Sequence, residues 1–313
     1  MDTLIRYENG IYAIDADYVR PRLAAIHLIV EKGRAALIDT GCNASLANVL
    51  AALHAAGVEP DNVDYVIPTH VHLDHAGGAG MMMRVFGNAR LVVHPRGARH
   101  MADPSKLMAG TVAVYGAEKT ARLYGEVVPV DAGRIIEATH ELELDLAGRT
   151  LRCLDTPGHA RHHIAIVDRQ TGHVFTGDTF GLSYRELDTD GRQFILPTTT
   201  PVQFEPDALH ASIDLILSYR PEAVYLTHFS QVRDVPAKAA ELHRLIDAYV
   251  AVARAEKDAG ADRLQRIRDG LARLLIEETA RFGCRLKTEE ILALHANDLQ
   301  LNAQGLDVWL DTQ

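Results

Sequence analysis

The sequence predicts a mixed α/β (α+β) protein with a helical C-terminal extension. Short apolar runs typical of β-strands alternate with stretches of helical spacing over residues 1–235. Two of the earliest runs are joined by a tight turn, which indicates a hairpin and therefore a sheet that is not purely parallel. After Pro236 the strand signals nearly vanish, and two apolar stripes of helical spacing follow. We therefore expect one domain over residues 1–235 and an extension over residues 236–313.

The elements follow from local patterns along the chain. The predicted hairpin pairs residues 23–30 with residues 35–38. Further strands are predicted over residues 64–68, 90–93, 141–146, 150–155, 164–168, 173–176 and 223–227. Helices are predicted where apolar residues recur every three or four positions, over residues 45–56 and 207–219. Residues 97–126 also look helical, and because they lie between motifs we interpret them as an insertion.

Composition and charge argue against several classes of protein. The chain has 313 residues, of which 47% are hydrophobic, so a sizeable core is expected rather than disorder. The net charge of −10 argues against a nucleic-acid partner and against an anionic membrane surface. Cys42, Cys153 and Cys284 are odd in number and widely spaced, which predicts reduced thiols. Since no signal peptide or long apolar run is visible, we expect a cytoplasmic protein.

The most informative motif is a cluster of histidines that directly follows a predicted strand. His70, His72, Asp74 and His75 lie within six residues, and Gly77 and Gly78 come just after them. A core or an ordinary loop has little use for so many imidazoles, whereas imidazole and carboxylate donors are typical ligands of zinc. Strand ends are also where α/β proteins place their sites. The motif therefore predicts a metal site.

Three more candidate ligands follow later strands. His159 ends Thr156-Pro157-Gly158-His159, Asp178 ends Thr176-Gly177-Asp178, and His228 follows the strand at residues 223–227. If these strands are neighbours in one sheet, all seven donors point into one cleft. A catalytic zinc ion needs only three protein ligands and a water. Seven donors therefore favour two ions that share a bridging carboxylate.

These motifs resemble those of the metallo-β-lactamase-fold superfamily, and within it the glyoxalase II-like and lactonase-like hydrolases. The resemblance covers residues 8–235 and implies a four-layer αβ/βα sandwich. It also implies a division of ligands. By this analogy one ion is held by His70, His72 and His159, the other by Asp74, His75 and His228, and Asp178 bridges both. Asp39, in Leu37-Ile38-Asp39-Thr40-Gly41, resembles the first motif of the family, which implies that it orients a ligand.

The resemblance implies a metal-dependent hydrolase. A hydroxide that bridges two divalent ions would attack an ester, thioester or lactone of a small molecule, and Asp74 and Asp178 would be the catalytic carboxylates. We expect zinc, with iron or manganese also compatible with the donors. No Gly-x-Ser-x-Gly motif offers a serine nucleophile. His163 and Tyr184 are weaker candidates, the first for supporting a ligand or lining the pocket and the second for a hydrogen bond to a substrate oxyanion.

Other functions stay open at this point. The same fold could serve a phosphodiesterase, an iron-dependent sulfur dioxygenase, or a regulator that retains metal and binds a ligand. The expected partner is a small molecule rather than nucleic acid or membrane. The apolar end of the chain fits either a homodimer interface or packing within the fold. Its residues are Leu301, Leu306, Val308, Trp309 and Leu310.

Overall fold

The computed structural model describes residues 4–199 and 202–313. The strands are β1 (Leu4–Arg6), β2 (Ile11–Asp15), β3 (Ala25–Glu31), β4 (Arg34–Ile38), β5 (Val63–Ile67), β6 (Arg90–Val93), β7 (Ile135–Glu137), β8 (Glu143–Leu146), β9 (Arg149–Asp155), β10 (Ile164–Asp168), β11 (Val174–Gly177), β12 (Val224–Leu226) and β13 (Ser230–Val232). The α-helices are α1 (Leu46–Ala55), α2 (Leu73–Ala76), α3 (Ala79–Val85), α4 (Pro95–Ala102), α5 (Ser105–Tyr115), α6 (Ala117–Tyr124), α7 (Pro206–Ser218), α8 (Val235–Ala255), α9 (Arg263–Phe282), α10 (Thr288–Leu294) and α11 (Ala296–Leu310).

The strands form two mixed sheets. The first sheet has the order β1-β2-β3-β4-β5-β6-β7, antiparallel from β1 to β4 and parallel from β4 to β7. The second has the order β13-β12-β11-β10-β9-β8, in which only the β11–β12 pair is parallel among the described strands. The predicted hairpin is confirmed as the antiparallel pair β3–β4.

The two sheets pack face to face with helices outside, which gives four layers. Strand β10 shows how the alternation of side chains builds them. Ile164 and Ile166 face the first sheet, in a core between the sheets that also contains Ile38 and Ile67. Ala165 and Val167 face a second core that is shared with the outer helices α7, α8, α9 and α11. A third core lies between the first sheet and helices such as α1 and α3. The predicted four-layer sandwich is therefore confirmed.

The helical segments lie where the sequence predicts them. Three consecutive helices, α4, α5 and α6, cover the proposed insertion. Helix α8 begins at Val235, one residue before the expected boundary at Pro236. The helices that follow share one hydrophobic core with the second sheet. Leu306, Trp309 and Leu310 are buried in this core, so they pack within the fold, and the homodimer stays a prediction.

The structure distributes the strands that precede the candidate ligands over both sheets and adds several strands. The strand before His70 belongs to the first sheet, whereas the strands before His159, Asp178 and His228 belong to the second. The four strand ends therefore meet across two sheets. Strands β1, β2, β7 and β13 were not predicted. Within the described residues, no helix combines the length and apolarity needed to cross a bilayer.

Candidate metal centre

The seven predicted ligands come together at one end of the sandwich. His70 and His72 lie in the loop after β5, and Asp74 and His75 lie in the short helix α2. The other three side chains follow β9, β11 and β12 of the second sheet. Three groups of donors have ligand atoms within 4.8 Å of one another: His70, His72 and His159; His70, His75 and Asp178; Asp74, His75 and His228.

The turn after the histidine cluster depends on two glycines. Strand β5 ends at Ile67, and His72 is extended (φ −63°, ψ 147°) before the helical turn begins. A Cβ at Gly77 would lie 2.3 Å from the Leu73 carbonyl oxygen. A Cβ at Gly78 would lie 2.7 Å from the Cys42 carbonyl oxygen. Glycine at position 78 lets the cluster pack closely against the loop after β4, and glycine at position 77 avoids a collision with α2 itself.

The first triad consists of three imidazoles. His70 Nε2 lies 2.7 Å from His72 Nδ1, and His159 Nε2 lies 3.4 Å from the same His72 atom. His159 Nδ1 is 3.2 Å from the Thr198 carbonyl oxygen, to which it can donate its proton. This bond leaves the Nε2 lone pair of His159 directed at the other two rings.

The second triad adds a carboxylate. Asp74 Oδ2 lies 3.6 Å from His75 Nε2 and 3.5 Å from His228 Nε2. His228 Nδ1 is 2.7 Å from the Leu23 carbonyl oxygen and can donate to it. Nε2 of His228 is thereby directed at Asp74, just as Nε2 of His159 is directed at the first triad.

Asp178 lies between the two triads. Its Oδ2 is 3.3 Å from His159 Nε2, on the side of the first triad. Its Oδ1 is 3.5 Å from His75 Nε2 and 3.7 Å from His228 Nε2, on the side of the second. One oxygen of the same carboxylate thus faces each triad, which is the arrangement that a bridging ligand requires.

Asp39 holds His75 from behind. Its Oδ2 lies 2.9 Å from His75 Nδ1, which can donate to it, so Nε2 of His75 is directed into the centre. Thr227 Oγ donates to the same oxygen at 2.6 Å. The Thr69 amide donates to Asp39 Oδ1 at 2.7 Å. The two threonines were missed at the sequence level, although each directly precedes a candidate ligand, His70 or His228.

His163 and Tyr184 lie outside both triads. His163 is fully buried, and its Nε2 accepts a hydrogen bond of 3.1 Å from the Asp178 amide. It therefore supports the backbone of Asp178 rather than lining a pocket. Tyr184 is buried, and its hydroxyl donates to Asp298 Oδ1 of α11 at 3.2 Å. Asp298 was also missed, because a residue so far along the chain gives no local signal of this contact.

The charges of the centre suit a divalent cation. Burial and neighbouring histidines lower the pKa of His70 and His72 well below its usual range. Burial opposes protonation of His75 and His228 as well, but Asp178 and the other carboxylates outweigh it. They raise the pKa of His75 well above its ordinary value and that of His228 to about 9. Protons on these two rings offset the carboxylates, and a cation would replace those protons.

The donors present fit a pair of metal ions. His75 Nε2 and Asp178 Oδ1 are buried and have no hydrogen-bond partner among the described residues. Buried polar atoms nearly always have a hydrogen-bond partner. Two such atoms that face each other without one therefore indicate a missing ligand, such as a metal ion that both could bind. Neutral imidazoles and carboxylates are the donors that Zn²⁺, Fe²⁺ and Mn²⁺ accept. The two triads would each hold one ion, and Asp178 would contact both.

The chain resembles known proteins of one superfamily. The family model described as the Metallo-beta-lactamase superfamily matches residues 19–228. The metallo-beta-lactamase fold-containing protein ST1585 of Sulfurisphaera tokodaii is 26% identical over 233 residues, which are 70% of this chain and 78% of that protein. The crystal structure of ST1585, described as an archaeal metallo-beta-lactamase superfamily protein from Sulfolobus tokodaii, superposes with a TM-score of 0.66. It has 22% identity and covers 95% of this chain and 98% of that one.

Two enzymes resemble shorter parts of the chain. A hydroxyacylglutathione hydrolase of Synechococcus sp. (strain JA-2-3B'a(2-13)) is 29% identical over 146 residues, 46% of this chain and 43% of that enzyme. An atrochrysone carboxyl ACP thioesterase of Aspergillus fumigatus is 29% identical over 148 residues, 46% of this chain and 35% of that enzyme. The matched regions thus span less than half of either enzyme. The family model covers most of the candidate domain, from the loop after β2 to His228, and on this ground the chain belongs to the metallo-β-lactamase superfamily.

Proposed function

We propose that the protein is a dinuclear metal-dependent hydrolase that cleaves an ester, thioester or lactone of a small molecule. The position of Asp178 carries this proposal. Its two carboxylate oxygens face two separate sets of donors, at 3.3 Å from His159 on one side and 3.5 Å from His75 on the other. A carboxylate in this position can hold two ions at a short, fixed separation.

The chemistry divides between the ions and the side chains. When bound, two divalent ions would lower the pKa of a shared water toward ~7 and polarise the carbonyl that is attacked. Asp178 fixes the spacing of the two sets of donors. Asp74 is about a quarter exposed, so its carboxylate can accept a proton from the attacking water and return it to solvent. Asp39 and the Leu23 carbonyl hold His75 and His228 in the required tautomers.

The relatives favour the thioester among the three bonds. Hydroxyacylglutathione hydrolase and the atrochrysone carboxyl ACP thioesterase both act, by their names, on thioesters. A thiolate is a better leaving group than an alkoxide. A metal centre can stabilise the departing thiolate, so no separate strong acid is needed to protonate it. We therefore place a small-molecule thioester first and a lactone second.

The test begins with metal content. Elemental analysis of the purified protein is followed by loading with zinc, manganese or iron and by a screen of thioester, lactone and phosphodiester substrates. We expect two ions per chain at the centre and turnover of a thioester or lactone that chelator abolishes. Asp178→Asn should lower kcat/KM on the order of 100-fold or more, because the bridge loses its charge. His54→Gln, at an exposed position on α1, serves as the matched control.

Other outcomes would overturn the proposal in distinct ways. Turnover of the phosphodiester alone would identify a phosphodiesterase. Bound iron with oxygen consumption would identify an oxidoreductase. A ligand that co-purifies, with no hydrolysis across the panel, would identify a regulator. Undiminished thioester turnover after complete removal of metal would exclude the mechanism.

A further inference from the structure

A hydrogen-bonded network of three side chains lies directly behind the Asp178 backbone. It consists of Thr156 after β9, His163 before β10 and Thr179 after β11, and all three residues are buried. We call this group the threonine–histidine network. It joins the loops that follow β9 and β11, and each of these loops carries a candidate ligand, His159 or Asp178.

The two threonines fix the tautomer of the His163 imidazole. The Thr179 hydroxyl donates its only proton to the Thr156 carbonyl oxygen at 3.2 Å. It can therefore only accept from His163 Nδ1, which lies 3.1 Å away. The Thr156 hydroxyl lies 2.9 Å from the same Nδ1 and offers a second acceptor. The proton of the neutral imidazole is thus held at Nδ1, and Nε2 keeps its lone pair.

The lone pair of His163 Nε2 is used on the backbone of Asp178. The Asp178 amide donates to this nitrogen at 3.1 Å. If the proton of the imidazole were at Nε2 instead, two donors would face each other and a buried amide would lose its hydrogen-bond partner. The tautomer that the two threonines select is therefore the one that the amide requires.

Close packing places His163 against both the bridging position and the first triad. A Cβ at Gly177 would lie 2.6 Å from His163 Nε2, so a glycine before Asp178 lets the imidazole reach the backbone. The His163 ring also stacks on that of His70, with centroids 4.9 Å apart and an interplanar angle of 28°. A displacement of His163 would therefore disturb a ligand of the first triad and the carboxylate that faces both triads.

We propose that Thr156, His163 and Thr179 are positioning residues, which hold the Asp178 backbone where one carboxylate can contact two ions. The inference rests on the proposed dinuclear centre and extends its support to residues that touch no ion. A bridging carboxylate must reach both sets of donors, so a displaced backbone would favour one triad and weaken the binding of an ion at the other. The network acts through Asp178 and has no contact with the substrate.

The test follows metal binding rather than turnover. Full-length variants are titrated with Mn²⁺, and electron paramagnetic resonance distinguishes two ions that are coupled through a bridge from isolated ions. We expect a coupled pair in the wild type. His163→Leu removes the acceptor and should weaken the binding of one of the two ions by about 10–100-fold, which leaves isolated Mn²⁺ at concentrations that saturate the wild type. His163→Gln offers an amide oxygen to the Asp178 amide and should restore most of the coupling.

Two further variants separate positioning from general stability. Thr156→Val/Thr179→Val keeps the imidazole but removes both acceptors at Nδ1, so the proton is free to occupy Nε2. Coupling should be lost here too, and this variant makes the comparison if His163→Leu does not fold. The control is His173→Leu, because His173 is a buried histidine at the other end of β11, with its Nδ1 3.3 Å from the Tyr225 hydroxyl. It should be less stable than the wild type and retain the coupled pair.

A coupled pair of wild-type affinity in His163→Leu or in the threonine double variant would overturn the inference. So would a His163→Gln variant that binds no better than His163→Leu. A wild type that binds one ion only would overturn the inference together with the proposed dinuclear centre. A coupled pair that responds to these variants, without hydrolysis of any substrate, would support the inference and contradict the hydrolase alone.

Discussion

Asp39 joins both sheets at the candidate metal centre. It follows β4 in the first sheet and accepts hydrogen bonds from Thr69, after β5, and from Thr227, after β12 in the second sheet. It also holds His75 Nδ1 at 2.9 Å. Its backbone lies in the left-handed region (φ 59°), which aspartate tolerates better than most residues. The residue is thus placed to fix the ring of a candidate ligand.

The first prediction concerns this carboxylate. In Asp39→Asn one oxygen becomes an NH₂ group, which cannot accept the proton of His75 Nδ1. We expect metal affinity at the second triad to fall by about 10–100-fold, while the first triad is affected less. Competitive titration with a chelating dye measures the affinity of each triad for its metal ion. Thr227→Val is the matched comparison, because it removes only one of the bonds to Asp39. Equal affinities in Asp39→Asn and wild type would contradict the orienting role.

The second prediction concerns His27, which makes the stability of the fold depend on pH. Burial lowers the pKa of His27 from 6.5 to about 4, against an opposing effect of Asp39. Between these values the unfolded chain binds a proton that the folded chain does not, so stability falls as the pH falls from 6.5 to about 4. His27→Gln should remove about 3 kcal/mol of this loss. Urea unfolding at pH 7 and at pH 4 measures it.

The control for the pH experiment is His54→Gln, because His54 is exposed. This variant should lose as much stability on acidification as the wild type. Other buried histidines also titrate, so the comparison is the difference between variants and not the total loss. A wild type and a His27→Gln variant with the same dependence on pH would show that His27 is not the group responsible.

At the scale of elements, the candidate ligands depend on tight turns between strands and helices. Gly158 has φ +125°, and a Cβ there would lie 2.3 Å from the Leu209 backbone of α7. Gly158→Ala therefore combines a strained backbone with a collision, and we expect a loss of roughly 2–5 kcal/mol. Binding of a metal ion at the first triad should be weakened too, because the next residue is the candidate ligand His159.

Gly172 offers a matched control for this substitution. It also has a positive φ (+74°), but a Cβ there would meet nothing within 4 Å. Gly172→Ala should therefore cost only the backbone strain, about 1–2 kcal/mol, and leave metal content unchanged. Urea unfolding and elemental analysis of the two variants make the comparison. Equal losses of stability in Gly158→Ala and Gly172→Ala would show that the packing of α7 does not constrain the turn at Gly158.

Sequence patterns predicted the central elements better than the edges. Strand β10 was predicted over the residues that form it, because both of its faces are buried and it reads as a continuous apolar run. Edge strands such as β1 and β7 have three residues each, and their patterns are too short to recognise. The sequence did not reveal which of the two sheets each candidate ligand follows, because strand order depends on long-range pairing that a strand end does not show.

The candidate ligands could be located from sequence because each follows an apolar strand and four of them share one motif. Two of their supports, Asp39 and His163, were also candidates from the sequence, but the other supports could not be predicted. His228 and His159 are oriented by the carbonyl oxygens of Leu23 and Thr198, and a backbone carbonyl is present at every residue. The link from Tyr184 to Asp298 likewise requires the placement of α11 against the first part of the chain.

For the whole molecule, the fourth prediction concerns metal removal. The donors come from both sheets, so ions at the centre bind the folded chain and not the unfolded one. Each ion at about 1,000 times its Kd would add about 4 kcal/mol to stability. Chelator should therefore lower Tm, on the order of 10 °C for two ions, and zinc should restore it. Differential scanning calorimetry measures the shift, and Asp178→Asn should show a smaller one.

An equal Tm with and without chelator in the wild type would show that ions do not stabilise the fold.

The spread of the donors along the chain also bears on how the protein matures on the ribosome. Four of them, from His70 to His75, emerge early during synthesis, whereas His159, Asp178 and His228 emerge much later. Neither triad is complete until residue 159 or residue 228 has left the exit tunnel, and the shared carboxylate at 178 arrives between them. In the proposed hydrolase, a nascent chain halted before residue 228 would retain a metal only weakly, and both ions would load only after that residue has emerged.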